Sequence, residues 1–508
     1  TSSSNATGGG VNNTTVSNAV FVSGGATVTT GVVGTNPVNG GGTALNPTAL
    51  VAGQVFNSTL NVNDNFTGLS ATLSGTTVNG NAGDTDVITL SDALTVNIGN
   101  AGTGGTITNI KTLNLANGAN NFGFGAATTG ITTVNGGTGD DTVDLTGAGT
   151  SFAAGNVNLG SGSNTLTLGA LNYTGTFSAG SGGDTLKVVN STNISGANVT
   201  GFEVLDVAAG GASVTMTAAQ YNSGAGITTA TGNDTITLTT AGSIIASTLI
   251  ENYVLANGTN AVTFNSGAAT QTFTGGTGND TFTTTLSGLA NKTINAGLGA
   301  DTVTVTNAVN IAFTLATAGA AGAALSGVDT VNFNAVNNNT VTMFSGAATV
   351  NTAGGTFILG SGGQTLTATG AVTVTGGAGA DTITFSSGAD TIIASGSTIA
   401  AIDTVNNFKL AGADVFKTGT AATSLNYLYI ATSDAAGLAA ALSTAAAIAG
   451  TALTANTQAY LVTVGSGVAA GTYVFQNIGS NVGAVDATDF VVKLTGATGT
   501  ILASDFIV

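Results

Sequence analysis

The sequence contains no cysteine, no histidine and no tryptophan, and among its 508 residues there are only two prolines, two methionines and six basic residues. Each absence removes a class of chemistry. Without cysteine there is neither a disulfide framework nor a thiol nucleophile. Without histidine there is no imidazole base for a hydrolase triad and no HExxH zinc site. Six basic against 23 acidic residues give a net charge of −17, so a phosphate backbone is repelled and divalent cations are the natural counter-ions. Nucleic acid is therefore excluded as a partner. No basic stretch precedes an apolar one near residue 1, so no cleavable secretory signal is read in the chain. The longest uncharged stretch, 435–455, is mostly Ala, Gly, Ser and Thr, which partition weakly into hydrocarbon; no membrane span is expected.

What is present is glycine, 78 residues of it, with Thr, Ala and Asn filling almost every segment. Such a composition alone suits a disordered chain. Short runs such as VITL, VDLT, LTL, ITLT and VTVT argue otherwise, because they alternate β-forming apolar residues with polar ones and need a core to pack against.

Internal repetition decides the reading. GGTGDDTVD at 136–144, GGTGNDTFT at 275–283 and GGAGADTIT at 376–384 are complete copies of one nonapeptide, GGxGxDxUx, where U is a large apolar residue. AGSGGDTLK from Ala179, AGLGADTVT from Ala296, TATGNDTIT from Thr229 and FSSGADTII from Phe385 lack one or more glycines but keep the frame. LGSGSNTLT from Leu159 and LGSGGQTLT from Leu359 carry Asn164 and Gln364 in place of Asp.

This set resembles the RTX nonapeptide repeats, over about residues 80 to 420. The resemblance implies an all-β fold, a parallel β-roll or β-helix solenoid whose loops bind several calcium ions. The ligands it implies are the loop residues Gly137, Gly139, Asp140 and Asp141; Gly182 and Asp184; Gly232 and Asp234; Gly276, Gly278 and Asp280; Gly297, Gly299 and Asp301; Gly377, Gly379 and Asp381; Gly388 and Asp390; and Asp86. The residue chemistry agrees. Glycines permit the turn conformations that let carbonyls converge, and a hard cation wants six to eight oxygens, which carbonyls and an Asp carboxylate supply. The apolar residue two after each Asp, such as Val143, Leu186, Ile236, Phe282, Val303, Ile383 or Ile392, points into the roll in that family, so the strand is expected to break its alternation at the loop.

Only 376–384 and 385–393 are in tandem; elsewhere the frame recurs after 21 residues (280 to 301), 20 (164 to 184) and 23 (141 to 164), which suggests one loop per rung. Rungs stacked about 4.8 Å apart would then align the loops in a column. Bare carboxylates at that distance repel by about 3.5 kcal/mol per pair at an effective dielectric of 20. Calcium between loops reverses the sign, so its removal is expected to unfold or loosen the solenoid.

A looser repeat, TNIKTLNL (108–115), TGFEVLDV (200–207), TLIENYVL (248–255) and LSGVDTVNF (325–333), is similar to the strands linking RTX loops in bacterial surface-layer proteins. Ordinary buried strands explain it equally well and give Lys111, Glu203, Glu251 and Asp329 no ligand role. Both ends depart from the middle: 1–60 is an N-terminal β segment for assembly or anchoring with strands near AVFVSGGATVTTGVV, 61–420 is the solenoid, and 421–508 is a C-terminal cap. In the cap, SDAAGLAAALSTAAAIAG reads as an Ala-rich helix with Leu438, Leu442 and Ile448 on one face, followed by strands AYLVTV, TYVFQNI, DFVVKLTG and SDFIV. IDTVNNFKLAGADVFK (402–417) and the final Asp505, Phe506, Ile507 and Val508 resemble the end of a type I secretion substrate; a plain capping strand is the alternative.

No catalytic constellation is read. Paired carboxylates for glycoside chemistry would have to come from the few acids outside the loops, such as Glu203 and Glu251. The function expected is structural: an extracellular, cell-surface protein that assembles with itself into a calcium-dependent surface layer or filament. In the resembled surface-layer proteins an N-terminal domain anchors the lattice to lipopolysaccharide, and this N-terminal segment lacks an evident helical anchor. The alternative is a monomeric RTX adhesin or carbohydrate-binding module, to which abundant Asn and Thr are suited and 6% aromatic residues are not.

Overall fold

In the computed structural model the described residues are 48–508, apart from 59–61, 94–96, 99–105, 265–269, 308–312, 317–322, 335–339, 394–398, 410–412, most of 432–457, 479–488 and single or paired positions elsewhere. The strand read near AVFVSGGATVTTGVV and most of the Ala-rich helix lie outside them. The chain divides into two compact units, Thr1–Asp206 and Val207–Val508.

Both units are parallel β-solenoids. In the first, strands at 48–49, 65–68, 87–90, 112–114, 133–138, 156–161, 176–178 and 198–200 lie side by side in chain order. A second sheet takes 97–98, 121–124, 142–144, 165–168 and 185–188 from the intervening chain, and a short third sheet takes 55–57, 77–79, 106–108 and 128–129. The register is strict: Thr142, Val143 and Asp144 face Thr165, Leu166 and Thr167, and the next rung continues with Thr185, Leu186 and Lys187. The second unit repeats the plan with two long sheets. One runs from Ser213–Met216 through 235–238, 252–254, 271–274 and 292–295 to the last strand, Phe506–Ile507. The other runs from Ser243–Ile245 through 261–263, 281–284 and 302–305 to Asp403–Asn406, then adds the cap strands.

Short strands suffice because each contributes one or two inward residues to the stacks. Val143, Leu166 and Leu186 follow one another down the first unit, and Val262, Phe282, Val303 and Val331 down the second, all buried. At about 25 cal/mol per Å² of apolar area, a stack of this length is the main stabilising contribution. Aromatic rings extend it: Phe264 and Phe273 stack at 4.7 Å, and Phe408 and Phe416 at 4.2 Å. The outward positions are Thr and Asn, and their side chains pair between rungs, as Asn135 Nδ2 with Asn114 Oδ1 at 2.8 Å and Asn351 Nδ2 with Asn332 Oδ1 at 2.8 Å. The Thr- and Asn-rich composition is thus the outer wall of the solenoid.

The C-terminal end leaves the pattern. Gln458–Val464 and Gly471–Gln476 pair antiparallel, as do Gly471–Gln476 and Phe490–Thr495, and Ser424–Ile430 runs parallel along the far side of Gln458–Val464. Leu438 and Leu442, from the segment read as a helix, are buried with Leu428, Ile430, Tyr460 and Phe475. A short helix, Ala218–Ser223, was not expected from the sequence.

Candidate metal sites along the loop columns

Each repeat aspartate stands immediately before a strand: Asp141 before Thr142–Asp144, Asp280 before Thr281–Thr284, Asp381 before Thr382–Thr384. The expected break in alternation does not occur. Asp141 and Val143 are both buried with Thr142 between them half-buried, so the Asp shares the inner face with the apolar residue two places on. The same holds for Asp184 and Leu186, Asp280 and Phe282, and Asp301 and Val303.

The carboxylate is held inside because it has a backbone partner one rung away. The N–H of Asn120 donates to Asp141 Oδ1 at 3.0 Å, that of Asp141 to Asn164 Oδ1 at 2.8 Å, that of Asn164 to Asp184 Oδ1 at 2.8 Å, and that of Asp184 to Glu203 Oε2 at 2.8 Å. In the second unit Gly242 donates to Asn260, Asn260 to Asp280, Asp280 to Asp301 and Asp301 to Asp329. Where the nonapeptides are in tandem there are two such ladders, Gln364 to Asp381 to Asp403 and Val372 to Asp390 to Asp414, one leading into each sheet. Asp234 likewise accepts from Ala212 and donates to Glu251, and Asp86 accepts from Asp64.

Sequence reasoning missed Glu203, Glu251, Asp329, Asn120, Asn260, Asp403 and Asp414 as members. Two signals were available. Asn120 and Asn260 follow a glycine by two and precede an apolar residue by two, as the aspartates do, and Asp414 stands in GADVF. Glu203 in GFEVL and Asp329 in GVDTV keep that spacing too; Glu251 and Asp403 have no glycine two places before them, and only the register reveals them.

The expected ligand loops fall into two geometries. In the loops of Asp141, Asp184, Asp234, Asp280 and Asp301, Oδ2 is buried and has no hydrogen-bond partner among the described residues. Glycines at positive φ shape these turns, including Gly137, Gly139, Gly182, Gly232, Gly278, Gly297 and Gly299; Gly276 keeps an ordinary φ. A Cβ at Gly136 would strike both Asp141 Oδ2 and Leu159 O, and one at Gly275 would strike Asp280 Oδ2 and Ala296 O, so the unpartnered oxygen and a carbonyl of the next rung converge on the first glycine of the repeat. In the loops of Asp86, Asp381 and Asp390 an N–H meets Oδ2 instead, from Asn81, Gly377 and Ser386 at 3.1, 3.1 and 3.0 Å. Gly377, Gly379 and Gly388 do not have positive φ. Asp140 lies apart from both groups: it is exposed and its Oδ1 accepts the Ser163 N–H at 2.7 Å.

Burial pushes the carboxyl groups of Asp86, Asp141, Asp234, Asp301, Asp381 and Asp390 above the usual carboxylate range, against the backbone and side-chain hydrogen bonds that pull them down. A buried oxygen without a donor is unfavourable by about 1–3 kcal/mol. The first group of loops therefore offers what a hard cation uses: an unpartnered carboxylate oxygen beside backbone carbonyls. These loops fit calcium; the loops of Asp86, Asp381 and Asp390 have already spent that oxygen on an amide. No group of three or more acidic side chains is assembled among the described residues, so carbonyls would have to complete any such site.

These features define a parallel β-solenoid with buried polar ladders at its loop columns. Comparison of the chain with family models, with curated proteins and with solved structures gave no match.

Proposed function

We propose that this is a structural, self-assembling extracellular protein of the RTX type, stapled by calcium and built to form a surface layer or filament at a bacterial cell surface. The observation that carries the calcium part is the set of buried, donor-less Oδ2 atoms of Asp141, Asp184, Asp234, Asp280 and Asp301. Those five aspartates, with carbonyls of their own and neighbouring loops, are the residues that would hold the ions. A bound ion supplies positive charge where stacked loops present only acceptors, which makes its binding energy folding energy.

Assembly is supported by the end of the sheet that carries the cap strands. Ser424–Ile430 is the last strand there, paired along one side only among the described residues, and Tyr427 and Tyr429 stand 65% and 70% exposed on it. A seven-residue edge with exposed aromatic residues is a template for pairing with another chain. No helix among the described residues is long and apolar enough to cross a membrane.

Calcium added to dilute purified protein, followed by negative-stain imaging, tests the reading. Sheets or fibres are expected. Isolated rods at every calcium and protein concentration would overturn it in favour of a monomeric adhesin or carbohydrate-binding module.

A further inference from the structure

The asparagines of the columns occupy the frame of the aspartates but are closed differently. Asn164 Oδ1 accepts the Asp141 N–H, which fixes the amide orientation, and Nδ2 then lies 3.1 Å from Gly162 O, 3.4 Å from Gly160 O and 2.9 Å from Asp184 Oδ1. Asn120 Nδ2 donates to Ala116 O at 2.8 Å, Gly118 O at 2.9 Å and Asp141 Oδ1 at 2.7 Å. Asn260 Nδ2 repeats the arrangement with Ala256 O at 2.8 Å, Gly258 O at 3.0 Å and Asp280 Oδ1 at 2.8 Å. In each case an amide nitrogen stands among two carbonyls of its own loop and one carboxylate oxygen of the next rung. That is an all-oxygen acceptor set of the kind a hard cation takes.

The register places Asp141, Asn164 and Asp184 at equivalent points of successive rungs, and each uses one oxygen for the N–H of the rung before. The second side-chain atom therefore takes the same corner in all three. In asparagine it is a double donor that satisfies the corner; in aspartate it is an acceptor facing acceptors, and it has no partner.

We infer that Asn120, Asn164 and Asn260 are built-in substitutes for the ion. Their loops hold no cation, and uptake is confined to the aspartate rungs, which fall at every second rung between Asn120 and Asp184. Gln364 is closed the other way round: Nε2 reaches back to Phe344 O at 3.0 Å and Gly346 O at 2.9 Å of the rung before, while Oε1 accepts the Gly360 N–H of its own loop at 2.9 Å. Between Asp141 and Asp184 the arrangement also removes the nearest-neighbour repulsion, because a neutral amide separates them; Asp280, Asp301 and Asp329 remain on adjacent rungs.

The inference rests on the calcium reading above, and its test separates the two. Calcium bound per chain is measured by equilibrium dialysis for the wild type, Asn164→Asp, Asn164→Ala and Asp280→Asn, with thermal melts of each in chelator. Asn164→Asp is expected to add one ion and lower the melting temperature in chelator. Asp280→Asn is expected to remove one ion and raise that temperature, by on the order of 2 °C. Asn164→Ala is expected to leave the count unchanged; a lower count would make Asn164 a ligand and overturn the inference while leaving calcium binding intact. An unchanged count in Asn164→Asp would do the same. A wild type that takes up no calcium would overturn the calcium reading and the assignment of ions to aspartate rungs. The chelator melts would then still decide whether the amide closes the loop, and an Asp280→Asn variant no more stable than wild type would show that it does not.

Discussion

The backbone N–H of Asp280 donates to Oδ1 of Asp301, 2.8 Å away and one rung further along the solenoid. The carboxylate that begins one strand thus ties down the start of the strand before it, and Asp301 is tied in turn by Asp329. Removing a link leaves a buried N–H without an acceptor. Asp301→Ala is expected to cost about 1–3 kcal/mol in a calcium-free denaturant melt. Asp301→Asn, which keeps the acceptor, is expected to cost nothing or to stabilise. The exposed Asp140, changed to Ala, is expected to stay within about 0.5 kcal/mol of wild type. Equal losses for Asp301→Ala and Asp140→Ala would contradict a structural ladder.

The response to pH follows from the direction of the carboxyl shifts. Burial raises Asp141, Asp234, Asp301, Asp381 and Asp390 in the folded state, with like charges facing several of them: Asp140 beside Asp141, Glu251 beside Asp234, Asp280 and Asp329 beside Asp301, and Asp414 beside Asp390. The folded protein keeps protons that the unfolded chain releases. Their stabilising contribution is therefore complete below the ordinary aspartate value and is lost as pH rises through the raised ones. In chelator the melting temperature is expected to fall between mild acid and neutrality. On the proposed calcium reading, the ion would compete with the protons of Asp141, Asp234 and Asp301 and is expected to flatten their part of the fall. A chelated protein that grows steadily more stable toward neutrality would contradict this.

The fold was legible because one pattern carried it. Period-two runs following a glycine turn give the strands, and the recurrence of GxD before them gives the rung length, as from Asp280 to Asp301. The site was legible only in part. The glycine frame identified the aspartates but could not distinguish Asp280, whose Oδ2 has no donor, from Asp381, whose Oδ2 accepts from Gly377 N. That difference goes with φ at the fourth repeat position, 137° at Gly278 and not positive at Gly379, which nearly identical nonapeptides do not encode locally. Nor could the frame find Glu251, whose longer side chain reaches the Asp234 N–H with no glycine two places before it; Glu203, which reaches the Asp184 N–H, keeps the spacing in GFEVL but carries a different acid. Pairing between rungs is a long-range property, and it decides which polar residues are inside.

The stacking of loops makes a prediction about glycine. Gly160 has φ of 78°, and a Cβ there would strike Gly137 O of the neighbouring rung, whereas Gly210, with φ of 111°, has open space around it. Both positions impose the backbone penalty of a left-handed residue, about 1 kcal/mol or more. Only Gly160 adds a collision with backbone that cannot turn aside. Gly160→Ala is expected to destabilise by at least about 2 kcal/mol more than Gly210→Ala, and to weaken calcium uptake at the Asp141 loop. Matched melts of the two variants in calcium check the first outcome, and dialysis the second.

The edge at Ser424–Ile430, paired along one side only among the described residues, gives the sharpest test of assembly apart from folding. Tyr427 and Tyr429 project from the outer side of a strand whose inner residues, Leu428 and Ile430, are buried with Tyr460, Val462 and Phe475. Changing the two tyrosines alters no buried contact of the inner face. Tyr427→Lys with Tyr429→Lys also places charge on the edge, the device by which natural sheets resist pairing with other chains. The double variant is expected to keep the wild-type melting temperature and calcium count while losing sheets or fibres in negative stain. If it assembles as the wild type does, the contact between copies lies elsewhere on the solenoid, and the outward Asn and Thr ladders become the next surface to change. A variant that loses assembly together with stability would instead show that the cap, and not the edge, had been disturbed.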